Sequence, residues 1–310
     1  MKVLITCPPM LKQIDEFKHL FEEKNIELIT PNVVQVLTEE ELLKLVPEVD
    51  AWIIGDDPAT AKVFEAGKNG KLKVAIKWGV GVDNVDFAAC EKLGILISNT
   101  PKMFGGEVAD LAMAYVLGLA RQSYKIDREI RKGNWIKPSG ISMSGKNVAV
   151  IGLGDIGQAV IKRLKGFETN IYAYDPFSTL TAQELGISGI LNFPASIERA
   201  DFVILTCALT ESSYHMVNQQ TLALMKNGVK IVNVARGPLI KEADLVEALR
   251  LGKVESAALD VFEIEPLSLS NPLHQFPQCI FGTHNGSNTI EAVHRASNKA
   301  IELLFGFLKI

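Results

Sequence analysis

The chain of 310 residues predicts an α/β protein with two doubly wound parallel sheets. Short β-branched runs alternate with amphipathic stretches from one end of the sequence to the other. The β-branched runs show little polar alternation, which is typical of parallel strands covered by helices on both faces. The length is about twice that of a common domain, so it favours two domains.

Composition excludes several classes of protein. Hydrophobic residues make up 47% and charged residues 22%, close to the average of globular proteins. The net charge of −4, without a basic block, lacks the electrostatic footprint of nucleic-acid binding. Four cysteines without a CxxC spacing favour reduced thiols over a disulfide framework or a metal site. With no targeting or membrane-spanning segment in view, we expect a cytoplasmic protein without membrane or nucleic-acid partners.

The predicted strands fall into two series. The first series is Lys2–Thr6, Glu27–Thr30, Ala51–Gly55, Lys73–Trp78 and Ile95–Asn99. The second series is Asn147–Gly152, Asn170–Asp175, Phe202–Thr206, Lys230–Val234, Ser256–Val261 and Cys279–Gly282. Helical patterns between them include Asn84–Leu93, Ile156–Phe167 and Lys241–Leu251.

Two longer helical patterns, Gly105–Arg131 and Thr289–Leu308, interrupt the alternation. Each follows a strand-rich block, and the second has no sheet after it, so it must pack on a domain already formed. We therefore expect a discontinuous first domain, residues 1–99 plus 286–310, with 100–285 inserted as the second. A simple cut near residues 140–145 is the alternative.

A glycine fingerprint lies at the start of the second series. Gly152, Gly154 and Gly157 follow a strand and open a helix, in the spacing GxGxxG. The first glycine permits a tight turn, the second lets the backbone approach a pyrophosphate, and the third lets helix and strand pack closely. The spacing alone is weak evidence, but here the strand, the helix and a following acid are all in place.

That acid, Asp175, ends the next strand 23 residues after Gly152. An acid at this distance accepts hydrogen bonds from the adenosine ribose and repels a 2′-phosphate, so it favours NAD over NADP. The alternative is a plain turn residue before Pro176. Asp155 adds an unhelpful charge beside the pyrophosphate, although it suits the positive end of the helix dipole.

Three residues that could do chemistry each follow a strand of the second series: Arg236, Glu265 and His284. Ligands of open parallel sheets bind beyond the carboxyl ends of the strands, so these side chains could converge. A guanidinium grips a carboxylate, an imidazole exchanges a proton near neutrality, and a carboxylate partner would raise the pKa of that imidazole. Singly, they could equally be a surface ion pair, a solvated turn acid and a partly buried histidine.

Together the motifs resemble those of the D-isomer-specific 2-hydroxyacid dehydrogenase family. The resemblance rests on residues 152–157, 174–176, 233–237, 258–266 and 282–286, which are GLGDIG, YDP, NVARG, ALDVFEIEP and GTHNG. Residues 77–86 are similar to the family's substrate loop, and 99–101 to its interdomain crossing. It implies a Rossmann NAD-binding domain inserted into a flavodoxin-like substrate domain, and a homodimer. We expect no regulatory domain after the final helix.

The resemblance also implies roles for individual residues. Arg236 would bind the carboxylate and carbonyl oxygen of a 2-oxo acid, His284 would be the acid–base, and Glu265 its partner. Lys77, Val80 and Gly81 would contribute to substrate binding. The implied NAD-binding set is Gly152, Gly154, Asp155, Ile156, Gly157, Asp175, Cys207, Ala208, Val234, Ala235, Arg236, Asp260, His284 and Gly286.

Departures from the family pattern leave the substrate open. Many relatives have Thr-Pro-His where this chain has Gly282-Thr283-His284, and a basic residue where Asp155 stands. In phosphoglycerate enzymes cations commonly surround the substrate phosphate, whereas here the stretch 54–58 is acidic and Lys77 offers one cation. Among the substrates, 3-phosphoglycerate is the leading candidate, glyoxylate or hydroxypyruvate is the alternative, and formate or phosphite is less favoured. A non-catalytic NAD-sensing corepressor is the rival function.

Overall fold

In the computed structural model, which describes all residues from Met1 to Ile310, the chain forms two compact units. Unit 1 consists of Met1–Met103 and Asn288–Ile310, and unit 2 of Phe104–Ser287. The expected divisions stood at 99/100 and 285/286, within a few residues of these positions.

The first stretch of unit 1 contains five strands and five helices. The strands are β1 (Lys2–Ile5), β2 (Glu27–Ile29), β3 (Ala51–Ile54), β4 (Val74–Lys77) and β5 (Leu96–Asn99). The helices are α1 (Pro8–Lys12), α2 (Lys18–Glu22), α3 (Glu39–Leu45), α4 (Ala61–Asn69) and α5 (Phe87–Leu93). The strands form one parallel sheet in the order β2-β1-β3-β4-β5, which is the flavodoxin-like order.

Unit 2 begins with two helices, α6 (Gly105–Arg121) and α7 (Ser123–Arg131). Its strands are β6 (Asn147–Ile151), β7 (Asn170–Tyr174), β8 (Gly189–Leu191), β9 (Phe202–Leu205), β10 (Val229–Asn233), β11 (Val254–Leu259) and β12 (Ile280–Phe281). Its further helices are α8 (Asp155–Leu164), α9 (Ala182–Leu185), α10 (Gln219–Leu224) and α11 (Glu242–Arg250). The parallel sheet runs β12-β11-β10-β9-β6-β7-β8, the Rossmann order with an added strand.

The chain returns to unit 1 with α12 (Ile290–Leu308). The side chain of Thr289 caps this helix by accepting a hydrogen bond from the backbone N–H of Ala292. The helix packs against β4, and the indole N–H of Trp78 donates to the hydroxyl of Ser297 over 3.1 Å. Both partners are buried, so α12 is part of the core of unit 1.

Burial explains why the strand patterns lack polar alternation. Every residue of β3, β4 and β9 is buried, as expected for strands covered on both faces. Unit 1 buries Trp52 and Phe64 with their ring centroids 6.0 Å apart. No helix combines the length and the apolar character that crossing a membrane requires.

Two predicted helices need correction, and one strand was not predicted. The helix expected over Gly105–Arg131 is broken at Gln122, which has a φ of +53° and separates α6 from α7. The helix expected from Asn84 starts at Phe87, because the carboxylate of Asp86 accepts from the N–H of Ala89 and caps it there. Strand β8 was missed, since its three residues are only partly buried and give little pattern.

Candidate active site

The glycine loop lies between β6 and α8. Gly152 has a φ of +102°, and a Cβ there would lie 2.6 Å from the backbone of Cys207. A Cβ on Gly157 would lie 1.9 Å from the carbonyl oxygen of Gly152, so close helix packing requires glycine. A Cβ on Gly154 would meet nothing within 4 Å. The loop is therefore tight where it packs on the protein and open at its middle glycine.

Asp175 holds this loop from the end of β7. One carboxylate oxygen accepts from the N–H of Leu153 over 2.8 Å, and the other accepts from the N–H of Phe177 over 2.9 Å. Asp175 is thus both the turn residue and an anchor of the glycine loop, and it stays partly exposed.

The residues of this loop fit a dinucleotide. Asp155 and Ile156 open α8, whose N-terminal N–H groups and helix dipole favour an anion. Gly154 leaves room for a phosphate beside them, and Asp175 offers carboxylate oxygens at the position where a ribose is bound. The exposed carboxylate of Asp155 stands at the same helix end.

His284 and Glu265 form a direct pair beyond the ends of β11 and β12. Nδ1 of His284 lies 2.8 Å from Oε2 of Glu265, and both side chains keep about a fifth of their surface exposed (22% and 21%). Oε1 of Glu265 accepts from the N–H of Phe262 over 2.9 Å. His284 has a φ of +53°, a conformation that few non-glycine residues adopt. A backbone N–H thus fixes the Glu265 carboxylate, which can stabilise a protonated imidazole at His284.

Asp260 anchors the loop that carries His284. Its Oδ2 accepts from the N–H of Gly286 over 2.8 Å, and its carbonyl oxygen accepts from the N–H of His284 over 2.6 Å. The hydroxyl of Tyr115, from α6, donates to Oδ1 over 3.1 Å. Asp260 is only 1% exposed, so all three hydrogen bonds lie in the interior.

Arg236 follows β10, the neighbour of β11 in the sheet. Its Nη1 donates to the carbonyl oxygen of Ala235, and its own carbonyl oxygen accepts from the amide of Asn233, both over 2.8 Å. A Cβ on Gly237 would lie 1.9 Å from the carbonyl group of Phe262. The loops that carry Arg236 and Glu265 therefore abut at the carboxyl edge of the sheet.

The remaining residues predicted to bind the nucleotide lie at the same edge. Val234 and Ala235 are buried, Ala208 is exposed, and Cys207 is partly buried with its Sγ 3.9 Å from the Sδ of Met216. Burial raises the pKa of Cys207 to about 11, so its thiol stays protonated near neutrality.

The predicted substrate-loop residues belong to unit 1. Lys77 is 1% exposed, and its ammonium group donates to Oδ1 of Asp56 over 2.8 Å and to the carbonyl oxygen of Gly55. Val80 is 41% exposed and Gly81 partly exposed, in the loop after β4. Lys77 thus carries a structural role within unit 1, and its part in substrate binding stays a prediction.

Two polar pairs of unit 2 were not predicted from the sequence. Tyr115 was hidden in an apolar helical pattern, 145 positions from its partner Asp260. His215 and Glu263 form a second imidazole–carboxylate pair, with Nε2 2.5 Å from Oε1. No spacing signals pairs so distant in sequence, although Glu263 lies inside a motif that was singled out.

Comparison with known proteins places these features in a family. The model of the family described as D-isomer specific 2-hydroxyacid dehydrogenase, NAD binding domain, matches residues 113–286. A D-3-phosphoglycerate dehydrogenase of Methanocaldococcus jannaschii is 38% identical over 97% of this chain and 56% of its own length. A hydroxypyruvate reductase of Thermotoga maritima is 37% identical over 88% of this chain and 90% of its own length.

A solved structure extends the likeness to the fold. The NAD-dependent formate dehydrogenase from Staphylococcus aureus, in complex with NAD, matches with a TM-score of 0.88 and 26% identity. The match covers 99% of this chain and 96% of that one. Against the phosphoglycerate enzymes, however, this chain spans only about half of their length (44% to 56%).

Proposed function

The chain belongs to the D-isomer-specific 2-hydroxyacid dehydrogenase family of NAD-dependent oxidoreductases, and we propose its reaction and the residues that carry it out. It interconverts a small 2-oxo acid and the D-2-hydroxy acid, with His284 as the acid–base. The observation that carries the proposal is the 2.8 Å contact between Nδ1 of His284 and Glu265, beside a complete glycine fingerprint.

The proton step follows from that contact. Because Nδ1 is held by Glu265, proton exchange with the substrate takes place at Nε2 of His284. When bound, NADH supplies the hydride that reduces the 2-carbon. His284 gives its proton to the carbonyl oxygen, and the carboxylate of Glu265 stabilises the imidazolium before the transfer. In the opposite direction His284 accepts the hydroxyl proton.

Arg236 is proposed to bind the substrate's carboxylate and polarise its carbonyl oxygen. A guanidinium presents two parallel N–H donors to a carboxylate, and one hydrogen bond to Ala235 fixes the direction of this side chain. The backbone N–H groups of Val80 and Gly81 are proposed as further carboxylate donors, because they lie in a partly exposed glycine loop.

The proposed substrate carries no phosphate. A dianionic phosphate gathers several cationic donors, whereas the ammonium of Lys77 is buried and already paired with Asp56. Glyoxylate and hydroxypyruvate therefore take precedence over 3-phosphoglycerate and its oxidised form. The predicted homodimer and cytoplasmic location stay predictions.

The test is NADH oxidation with glyoxylate, hydroxypyruvate, pyruvate and phosphohydroxypyruvate. We expect turnover with an unphosphorylated acid, and loss of ~10²-fold or more in kcat in His284→Asn, the usual range for a general acid–base. NADH affinity should stay near that of the wild type. His274→Asn is the matched control, because this histidine is exposed and its Nε2 bonds to the backbone carbonyl oxygen of Ser268.

Each outcome separates the proposals. Unchanged turnover in His284→Asn contradicts the mechanism, while a preference for phosphohydroxypyruvate contradicts only the substrate class. No turnover with any of the four acids, together with NADH-dependent oligomerisation, favours the non-catalytic NAD sensor. Formate and phosphite, tested with NAD, complete the screen.

A further inference from the structure

We propose that Tyr115 is a positioning residue of the reaction, acting through Asp260 on the loop that carries His284. The inference rests on the proposed role of His284. Tyr115 lies inside α6, only 4% exposed, and its hydroxyl donates to Oδ1 of Asp260 over 3.1 Å. Its hydroxyl bonds to Asp260, so its effect on the loop passes through that residue.

Asp260 is in turn hydrogen-bonded to two residues of the loop. Its other carboxylate oxygen holds the N–H of Gly286, and its carbonyl oxygen holds the N–H of His284. The N–H of Gly282 is bound to the carbonyl oxygen of Leu259 over 2.8 Å. Both ends of the segment 282–286 are therefore hydrogen-bonded to residues 259 and 260. The hydroxyl of Tyr115 fixes the rotation of the Asp260 carboxylate.

Gly282 shows that the arrangement is built around Tyr115. A Cβ at this position would lie 2.1 Å from Oδ1 of Asp260 and 2.3 Å from the hydroxyl oxygen of Tyr115. No side chain fits there while the Tyr115–Asp260 bond exists, because nonbonded heavy atoms do not approach so closely. The phenol occupies the space that a side chain at residue 282 would need.

The hydroxyl matters for two physical reasons. A buried carboxylate that lacks a hydrogen-bond donor raises the free energy of the folded state. Without the hydroxyl of Tyr115, the Asp260 carboxylate is therefore less restrained and can rotate away from the N–H of Gly286. His284 holds a left-handed φ of +53°, which persists only while its surroundings enforce it. If the loop is released, His284 can move away from the position where it meets the substrate's carbonyl oxygen. Small displacements of this kind lower the reaction rate strongly.

The test compares Tyr115→Phe with Tyr174→Phe. Tyr174 is the matched control, since it is buried in unit 2 and its hydroxyl also makes one hydrogen bond, to the carbonyl oxygen of Ala195. In the protein without added NADH, we expect faster amide hydrogen exchange at His284 and Gly286 in Tyr115→Phe alone. With NADH and the best 2-oxo acid, we expect a fall of about tenfold in kcat with little change in KM. A larger isotope effect with deuterated NADH should accompany it.

Equal exchange and equal kcat in the two variants overturn the inference, as does faster exchange without any change in kcat. If Tyr115→Phe does not fold, Gly282→Ala replaces it, because the new methyl must push Asp260 and Tyr115 apart; unchanged exchange there overturns the inference too. A wild type inactive on every acid contradicts the proposed function instead, and the exchange data still report whether Tyr115 holds the loop.

Discussion

The carboxyl edges of the two parallel sheets use charged residues in opposite ways. In unit 1 the charges face inward: Asp57 is fully buried and Lys77 is 1% exposed, and each is held by neighbouring loops. In unit 2, His284 and Glu265 keep about a fifth of their side-chain surface exposed (22% and 21%), while Nδ1 of His284 and both carboxylate oxygens of Glu265 make hydrogen bonds.

A charged residue that follows a parallel strand is therefore not by itself a functional residue. Asp57 accepts from the N–H groups of Leu37 and Gly55 and from the hydroxyl of Thr6, so every donor it meets belongs to its own unit. Burial raises the pKa of Asp57, in line with a group enclosed by the fold. Glu265 instead holds a partly exposed imidazole, and that is an arrangement able to act on another molecule.

Asp57→Ala should have the largest effect on stability, because it removes a carboxylate that accepts three hydrogen bonds in the interior. We expect the free energy of unfolding to fall by about 3 kcal/mol. Calorimetry should show the loss, with Asp15→Ala, an exposed acid of the same unit, as the control. A change below about 0.5 kcal/mol, the size typical of surface sites, would remove the contrast between the two edges.

Glu265→Gln should do the reverse and change rate more than stability. The amide keeps the size of the side chain and an oxygen for the N–H of Phe262, but it cannot stabilise an imidazolium. We expect kcat to fall by about 10- to 100-fold, within the range of acid–base contributions. Steady-state kinetics and thermal unfolding measure the two quantities, and a large loss of stability with normal kcat would assign Glu265 a structural role like that of Asp57.

Gly154→Ala tests whether the glycine loop of unit 2 binds a phosphate. The new methyl meets no protein atom within 4 Å, so folding should be unaffected, but it stands where the dinucleotide phosphate is expected. We expect NADH affinity to fall by about tenfold, about 1.4 kcal/mol, in calorimetric titration. Gly166→Ala is the control, because a Cβ there also meets nothing. Equal affinity in both variants would argue against phosphate binding at the glycine loop.

Asp155→Asn should have the smallest effect. Its exposed carboxylate stands at the first residue of α8, where it repels a bound phosphate. Removing the charge should raise NADH affinity by about twofold at low salt, and the gain should fade at high salt because the charges are screened. Weaker binding in this variant would show that the carboxylate helps to hold the nucleotide.

The local sequence predicted most of the strands, and it also predicted the candidate site residues whose side chains are partly exposed. Strands covered on both faces appear in the sequence as apolar runs. The glycine spacing that begins at Gly152 is required by a tight turn and by close helix packing, so both features could be predicted. The break at Gln122 was not, because a polar residue in the left-handed conformation leaves no pattern. Nor were the pairs of Tyr115 with Asp260 and of Lys77 with Asp56, which depend on the folded arrangement of distant segments.

The return of α12 to unit 1 has a consequence for synthesis on the ribosome. The whole of unit 2 is made before α12, so Trp78 waits for its partner Ser297 over 219 positions. Domains made first commonly fold first, but here the part made first lacks a core helix until after the second is complete. Unit 2 can therefore finish folding before unit 1. Until α12 is synthesised, the apolar surface of unit 1 that this helix covers stays exposed.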